Sequence, residues 1–478
     1  MNDARNTVEG FSIFFDKRVE TLTHMNDARN TADIILVNID NWFPSNSALA
    51  ILDPYLKQHG VKSLIVSSSK IDQYLDHADV FGISVMDHSY FQARKLTEKL
   101  RRKTVIWGGW TATASPEWIL RENPGVDYVI LQEGEKRLLT LLRSLQQPES
   151  FEHIDGIAYR DENHRIIVRP PQEFLDLDEL PIPNELTIFN DTVFVEVSRG
   201  CYGRCRYCQE VSKMRFKSAQ KVVEEILHWH TKRQNNFYLG GGNSLANGLL
   251  LRELIRGLEA QKLSVQLCLV GRPEDVLRHH DILERLFQSS TIRTYLIEVG
   301  IEANTQHLLD LLGRRTTPEI NRKAVTSLLA LQSRYSPRTK ILANMILFSH
   351  YDMTIEDFIE NVRFIGEHRC SRDVMALNLS GLANTPIWED MSDRGFPPQR
   401  LKGLQINEYP FTDEIVNRLF KKFSQYLQRQ LRKKNRSVSF WDYKTIQEHI
   451  HDKIIEFFTS ENIMESVLTF IESSDFNE

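Results

Sequence analysis

Short apolar runs alternate with amphipathic stretches along most of this chain, in two long series. In the first, residues 33–39 (Asp-Ile-Ile-Leu-Val-Asn-Ile) have the apolar density of a buried strand, and residues 47–59 predict a helix stopped by Gly60. Strands are also predicted at 63–66, 80–85, 104–107 and 128–131, the last leading into a helix that runs to about Leu145. Five β/α units of this length predict a parallel, doubly wound sheet. Such sheets bind ligands beyond the carboxyl ends of their strands, here the loops 40–47, 84–90, 108–113 and 132–135.

The second series starts near residue 192, with strands predicted at 193–197, 236–239, 265–270, 294–299, 341–348 and 374–379. Helices fit between them, including 217–232, 282–287, 318–332 and 356–368. Residues 151–190 read as a connector: a small hairpin, 154–160 with 165–168, then a proline-rich extended segment, 170–183. Past residue 395 lies a helical region with an apolar face (Val416, Leu419, Phe420, Phe423, Leu427) and a basic run at 429–436, read as a solvated helix end. Residues 1–30 are polar and unpatterned. Met-Asn-Asp-Ala-Arg-Asn-Thr occurs at 1–7 and again at 25–31, too little for a solenoid; a second start site, a recent duplication and a cloning scar all fit. The expected plan is an extension (1–30), an α/β domain (31–150), the connector (151–190), a second α/β domain (191–395) and a helical C-terminal region (396–478).

At 478 residues the chain needs more than one core. Its composition, 41% hydrophobic and 26% charged, is that of a soluble globular protein. A formal net charge of −5 provides no dominant basic field and argues against a general nucleic-acid binder. No apolar run approaches the ~18–20 residues of a membrane span, and the N-terminus lacks a secretory signal pattern. Five cysteines suit a reducing compartment better than a disulfide framework. A cytoplasmic, multidomain enzyme is the expectation.

Three of the cysteines crowd into Ser198-Arg-Gly-Cys201-Tyr-Gly-Arg-Cys205-Arg-Tyr-Cys208, directly after the predicted strand 193–197. Thiolates at this C-x3-C-x2-C spacing repel one another unless a metal or cluster neutralises them. The soft irons of an iron–sulfur cluster suit thiolate ligands. Zinc is the competing reading, but it usually takes four N/S ligands in paired spacings. Cys268, in an apolar run, and Cys370 belong to no local ligand group. A [4Fe–4S] cluster held by Cys201, Cys205 and Cys208 alone keeps one iron open to a small ligand.

This spacing, with the aromatic Tyr207 just before the third cysteine, resembles the radical S-adenosylmethionine (SAM) superfamily. The resemblance implies a partial (β/α)6 TIM barrel with its chemistry in the loops at strand C-termini, and an open iron that binds the amino and carboxylate groups of SAM. Gly240-Gly241-Gly242-Asn243 occupies the position of the family's "GGE" motif, whose backbone binds the SAM amino group. Asn243 replaces the acidic residue and would offer an amide oxygen. Val299-Gly-Ile-Glu302 resembles the "G-I-E" strand end, which assigns Glu302 to the ribose hydroxyls or amino acid moiety of SAM. Arg272, after the third strand, suits the SAM carboxylate. The competing reading for Arg272 and Glu302 is an ion pair across the barrel mouth. Gly381-Leu-Ala-Asn-Thr-Pro-Ile-Trp388 resembles the stretch that closes these barrels.

The first domain lacks the G-x-G-x-x-G of a dinucleotide fold. Its stretch Trp107-Gly-Gly-Trp-Thr-Ala-Thr-Ala-Ser-Pro-Glu117, with Gln132-Glu-Gly-Glu135, resembles the Rossmann-like cobalamin-binding domain upstream of many radical SAM domains. The segment Asp176-Leu-Asp-Glu-Leu-Pro-Ile-Pro183 resembles one that often precedes the cluster strand there. Gly108 and Gly109 would let backbone approach a large planar ligand, and Ser84 would face its edge or nucleotide tail. Trp110, Thr111 and Glu133 belong to the same cofactor-binding loops. The D-x-H-x-x-G motif that supplies histidine to cobalt in other cobalamin proteins is missing, in keeping with this branch.

By resemblance, the reduced cluster gives SAM one electron. The resulting 5′-deoxyadenosyl radical abstracts hydrogen from an unactivated carbon, and methylcobalamin donates a methyl group. The expected activity is C-methylation of a natural-product or cofactor precursor, a small molecule or peptide, with an electron donor such as flavodoxin or ferredoxin. The alternatives are a cyclase, ring-contraction or rearrangement enzyme using the same cofactors, and a non-catalytic iron–sulfur redox sensor, which needs only the cysteines. Both sets of loops lie at strand C-terminal ends. One shared cavity is therefore expected, lined by Trp110 or Tyr90 on one side and Tyr207 or Arg272 on the other.

Overall fold

The computed structural model describes residues 32–39, 45–146, 154–210, 212–368, 374–396, 405–406, 409–432 and 462–472. Both copies of the repeated heptapeptide, Cys370 and residues 433–436 of the basic run lie outside the described residues. Contacts divide the chain into two units, Met1–Asn190 and Asp191–Glu478.

In the first unit, β1 (Ile34–Asn38) is buried at every residue, as a strand covered on both faces must be. With β2 (Ser63–Ser67), β3 (Val80–Ser84), β4 (Thr104–Gly108) and β5 (Tyr128–Ile130) it forms a parallel sheet in the order β2-β1-β3-β4-β5. The order reverses between β1 and β3, and ligands of doubly wound sheets sit at such switch points. The connecting helices are α1 (Ser45–Gln58), α2 (Tyr90–Lys99), α3 (Trp110–Ala114), α4 (Pro116–Glu122) and α5 (Glu135–Gln146). Leu49 and Leu56 of α1 and Leu138 and Leu142 of α5 close one face against Ile34, Leu36, Ile106 and Ile130. The loop expected at 108–113 is largely helical, because Gly109 at φ +91° turns the chain straight into α3.

The hairpin β6 (Ile157–Arg160) and β7 (Ile166–Arg169), expected in the connector, extends this first sheet: β6 pairs antiparallel with β5. An isolated hairpin is marginal in water, and fully buried Ile157 and Ala158 find their cover in this unit. The proline-rich segment also packs here rather than running free. Leu177 and Leu180 join the same core, and the Asn184 N–H donates to the Ala50 carbonyl at 3.0 Å.

The short strand β8 (Ile188–Phe189) ends the first unit. The second unit is built on β9 (Thr192–Glu196), the short β10 (Ser198–Arg199) and β11 (Arg215–Phe216), then β12 (Asn236–Gly240), β13 (Val265–Gly271), β14 (Ile292–Glu302), β15 (Lys340–Phe348) and β16 (Val374–Asn378). Its main sheet runs β16-β15-β14-β13-β12-β9, with every neighbouring pair parallel. The intervening helices are α6 (Ala219–Thr231), α7 (Gly248–Ala260), α8 (Pro273–Arg278), α9 (His280–Gln288), α10 (Gln306–Leu311), α11 (Pro318–Tyr335) and α12 (Ile355–His368). Beyond the sheet come α13 (Pro386–Asp393), α14 (Glu414–Arg432) and α15 (Ile463–Glu472). Phe420 and Phe423 of α14 close on Phe348 at the end of β15, with ring centroids 5.3 and 5.9 Å apart. The two units are thus a doubly wound α/β domain and a partial (β/α)6 barrel with a helical C-terminal region. No described helix is long and apolar enough to cross a membrane.

Candidate functional site

The cysteines stand on a loop tied down at its base. After β9, Val197 donates its N–H to the Gly240 carbonyl and accepts from the Lys217 N–H, both at 3.0 Å. The ribbon β10–β11 pairs Ser198 with Phe216 and Arg199 with Arg215. At the exit, Lys217 buries its ammonium 2.7 Å from Glu225, with side-chain exposures of 0% and 1%. Inside the loop, the Arg206 N–H donates to Leu312 and the Arg206 carbonyl accepts from Ile387, at 2.9 and 3.0 Å. Gln209 Nε2 donates to the Ala383 carbonyl at 2.9 Å. Long-range backbone bonds of this kind hold the loop in shape before any ligand arrives.

Cys201, Cys205 and Cys208 are free, half-buried thiols. The Gly203 N–H donates to Cys201 Sγ at 3.3 Å, and the Glu210 N–H to Cys208 Sγ at 3.4 Å. Burial, reinforced by neighbouring Cys205 and Cys201, pushes the Cys208 thiol up to about 11. Removing its proton therefore calls for a positive partner. Among the described residues no three His, Cys, Asp or Glu side chains converge as a single metal ion would need. A cubane cluster instead takes each thiolate on a separate iron, so this donor set fits a cluster better than zinc. Cys268 lies buried in β13, its thiol pushed up to about 12 by burial and by Glu298.

The glycine-rich turn after β12 lies directly on this loop. A Cβ on Gly241 (φ +113°) would meet the Ser198 carbonyl oxygen at 2.0 Å, and one on Gly242 would meet that of Gly200 at 2.0 Å. A Cβ on Gly240 would strike the Phe194 ring at 1.9 Å. Gly241 and Gly242 keep exposed backbone. Asn243 is only 1% exposed. Its Oδ1 accepts from the Leu245 N–H at 3.1 Å and its Nδ2 donates to Asp275 at 2.6 Å, so the amide oxygen expected to face SAM is engaged inside the protein.

Arg272 donates from Nε to Glu274 at 3.0 Å, from Nη1 to Cys205 Sγ at 3.6 Å, and lies 5.3 Å over the Tyr202 ring. Glu302 is held at φ +66°, at an irregularity in the β14–β15 register between Gly300 and Glu302. Such a bulge re-aims a side chain, and this carboxylate bonds the Tyr207 hydroxyl and faces Arg314 at 3.8 Å. Burial raises the Glu302 pKa against the pull of Arg314, and burial with Glu302 nearby raises that of Tyr207. The ion pair considered between Arg272 and Glu302 is replaced by two others, Arg272–Glu274 and Arg314–Glu302.

Arg314 is the residue that sequence reasoning missed. It donates to the Gly300 carbonyl and, from Nη1, to Cys205 Sγ at 3.9 Å. Burial works against its charge, yet Tyr207, Glu302 and Cys205 together raise its pKa and keep it a cation. The available signal was Leu312-Gly313-Arg314 closing an apolar helical run. Gly313 takes φ +66° beside Arg204 and Arg206, bringing the segment onto the cysteine loop.

In the first unit the loops after β3, β4 and β5 are stitched together. Val85 donates to the Gly108 carbonyl at 2.8 Å, Thr111 Oγ1 to Asp87 at 2.5 Å, and the Gln132 N–H to Thr113 Oγ1 at 2.9 Å. A Cβ on Gly109 would meet the Val85 carbonyl oxygen at 2.6 Å and Ser84 Oγ at 3.2 Å, whereas one on Gly108 meets nothing nearer than 3.8 Å. Trp110 is 42% exposed and Gln132 Oε1 is buried without a partner. Thr111 is buried, and the Glu133 carbonyl accepts from Arg137. An open glycine, an exposed aromatic and an orphaned acceptor at the strand ends fit a large planar polar-edged ligand. Tyr90 is 2% exposed inside this unit, against Trp107 and Trp118, and lines no open surface.

Comparison with known proteins identifies the domains that carry these loops. The B12 binding domain family matches residues 46–142 and the radical SAM superfamily residues 195–368. An anaerobic magnesium-protoporphyrin IX monomethyl ester cyclase of a Synechocystis species is 25% identical over 242 residues, 48% of either chain. An uncharacterized methyltransferase of Pyrococcus horikoshii is 25% identical over 266 residues, 52% of this chain and 56% of its own. The chain thus spans about half the length of the curated relatives it matches. Among solved structures, the cobalamin-dependent S-adenosylmethionine radical enzyme OxsB, with aqua-cobalamin and SAM bound, superposes with a TM-score of 0.72 at 16% identity, over 92% of this chain and 75% of that one. The radical SAM methyltransferase TsrM from Kitasatospora setae reaches 0.61 at 16% identity, over 76% of each chain. A B12-binding domain followed by a radical SAM domain with its cysteine loop in place means that this chain belongs to the cobalamin-dependent branch of the radical SAM superfamily.

Proposed function

We propose that the protein is a cobalamin-dependent radical SAM C-methyltransferase acting on an unactivated carbon of a natural-product or cofactor precursor. The observation that carries this reading is the convergence, at the strand ends of one unit, of the cysteine loop, the Gly240–Gly242 turn, Arg272 and Glu302, in a chain that also carries a B12-binding domain. When bound, the cluster and SAM supply one-electron cleavage of a carbon–sulfur bond, and cobalamin supplies a transferable methyl group. Cys201, Cys205 and Cys208 would hold three corners of the cluster. The exposed backbone of Gly241 and Gly242 would receive the amino group of SAM, and Arg272 its carboxylate. Glu302 would serve the ribose hydroxyls from its bulge, oriented by Tyr207 and Arg314. Gly108, Gly109, Trp110 and Ser84, with Thr111 and Glu133 in the same loops, would form the cobalamin edge of the first unit. A redox sensor has no use for such a SAM-shaped set beyond the cysteines. Free thiols and the need for a low-potential donor such as flavodoxin or ferredoxin suit the cytoplasm.

A second reading, cyclisation or rearrangement with the same cofactors, is favoured by one observation: the activities named for the relatives divide between cyclase and methyltransferase. The deciding experiment is anaerobic reconstitution with SAM carrying a deuterated methyl group, a chemical reductant and candidate extracts, read by mass spectrometry. Methylation predicts 5′-deoxyadenosine, S-adenosylhomocysteine and a product heavier by a deuterated methyl group. Deoxyadenosine with an unlabelled product would favour the cyclase reading, and no deoxyadenosine at all would refute both.

A further inference from the structure

Cys205 differs from its neighbours on the loop. Cys201 and Cys208 each receive a backbone N–H. Cys205 Sγ is approached by two guanidiniums, Arg272 at 3.6 Å and Arg314 at 3.9 Å. Both arginines are only 6% exposed. Two buried cations at one sulfur repel each other, and Arg314 indeed disfavours the charge of Arg272. Around a neutral thiol that arrangement is unfavourable; around a ligand bearing negative charge it is stabilising. Each arginine also has one carboxylate nearby, Glu274 3.0 Å from Arg272 and Glu302 3.8 Å from Arg314. Glu274 Oε2 and Arg314 Nε have no hydrogen-bond partner, so the set is not a closed structural ion-pair network.

We infer that Arg272 and Arg314 are positioning residues that raise the reduction potential of the cluster through Cys205, and that Glu274 opposes them. The inference rests on the cofactor reading above. Reduction adds one electron and no proton to the cluster, so its sulfurs become more negative. N–H donors and positive charge therefore favour the reduced form, and in a site shielded from water they are weakly screened. Such a device makes the electron easier to accept from a donor, at a sulfur chosen by the fold.

The test uses the full chain, reconstituted anaerobically, with iron and sulfide measured first. A wild-type protein that takes up no cluster would sink the cofactor reading, independently of this inference. Electron paramagnetic resonance then follows a dithionite titration without SAM for the wild type, Arg272→Gln, Arg314→Gln and Glu274→Gln. Each arginine variant is expected to lower the reduced-to-oxidised ratio at fixed potential about tenfold, which is 59 mV for a one-electron couple. Glu274→Gln is expected to shift the midpoint the other way, since it removes a negative charge and leaves both donors in place. Unchanged or raised midpoints in the arginine variants would overturn the inference. Should those variants hold no cluster, the sign of the Glu274→Gln shift decides: a midpoint at or below that of the wild type overturns it.

Discussion

At the scale of single residues, the most informative group outside the cysteine loop is His350, just beyond β15. It is 2% exposed, its ring lies 4.0 Å from that of Tyr351, and its Nδ1 accepts from the Asp352 N–H at 3.1 Å. Burial pushes its pKa down from 6.5 to about 4, against the pull of Asp352 and Asp390. Between those values the unfolded chain binds more protons than the folded one, so stability is full above the upper value and falls as pH drops through the window. Relative to pH 7, the loss at pH 5 is about 2 kcal/mol, at 1.36 kcal/mol per pKa unit. Urea unfolding should show the wild type losing about that much more than His350→Gln. Equal losses in the two proteins would refute the assignment. Periodicity could mark Ser349-His350-Tyr351 only as the end of an apolar strand, since the burial that perturbs His350 comes from elements distant in the chain.

At the scale of elements, the cysteine loop and the first unit's glycine turn each rest on one local device. Lys217 and Glu225 pin the exit of the loop to α6 from within the core. Lys217→Met leaves the Glu225 carboxylate buried without its partner, which costs about 3–5 kcal/mol. Chemical denaturation should show that loss, and Lys217→Met with Glu225→Leu should recover much of it. A double variant no more stable than Lys217→Met would show that the pair acts through packing alone. In the first unit, Gly108 and Gly109 look equivalent in the sequence but are opposite in kind. Gly109→Ala forces a side chain into φ +91° and onto the Val85 backbone, and should lower the melting temperature. Gly108→Leu places its Cβ in ordinary contact with the Ile130 carbonyl oxygen alone, at 3.8 Å. It should leave the melting temperature nearly unchanged while weakening hydroxocobalamin uptake at least about tenfold, as an obstructed close approach would. Uptake like that of the wild type would remove Gly108 from the ligand site.

At the scale of the whole molecule, each unit carries its own core and its own candidate cofactor loops, so losing one cofactor should spare the other. Cys201→Ala, Cys205→Ala or Cys208→Ala should abolish cluster absorbance and iron content yet still bind hydroxocobalamin. Cys268→Ala should keep both, because that thiol is buried in β13 away from the loop residues that carry the other three. Loss of the cluster in Cys268→Ala with retention in Cys205→Ala would reverse the ligand assignment. In the Co(II) form, electron paramagnetic resonance should lack nitrogen splitting from a protein imidazole. A histidine signal would contradict the missing D-x-H-x-x-G motif.

The sequence alone determined the α/β strand series of both units, the cysteine loop and the glycine turns, because each is written in spacings of a few residues that local sterics and periodicity enforce. It could not determine partners brought together by the fold. The hairpin at Ile157–Arg160 joins the first sheet because its buried face needs cover, and nothing local says which sheet supplies it. Asn243 turns inward because Asp275, on a later helix, takes its amide. Arg314 reaches Cys205 across 109 residues and Arg272 across 67. Those separations carry no periodic signal, so only the parallel register of β9, β12, β13 and β14, which sets these strand ends side by side, decided that two buried cations would meet at one cysteine.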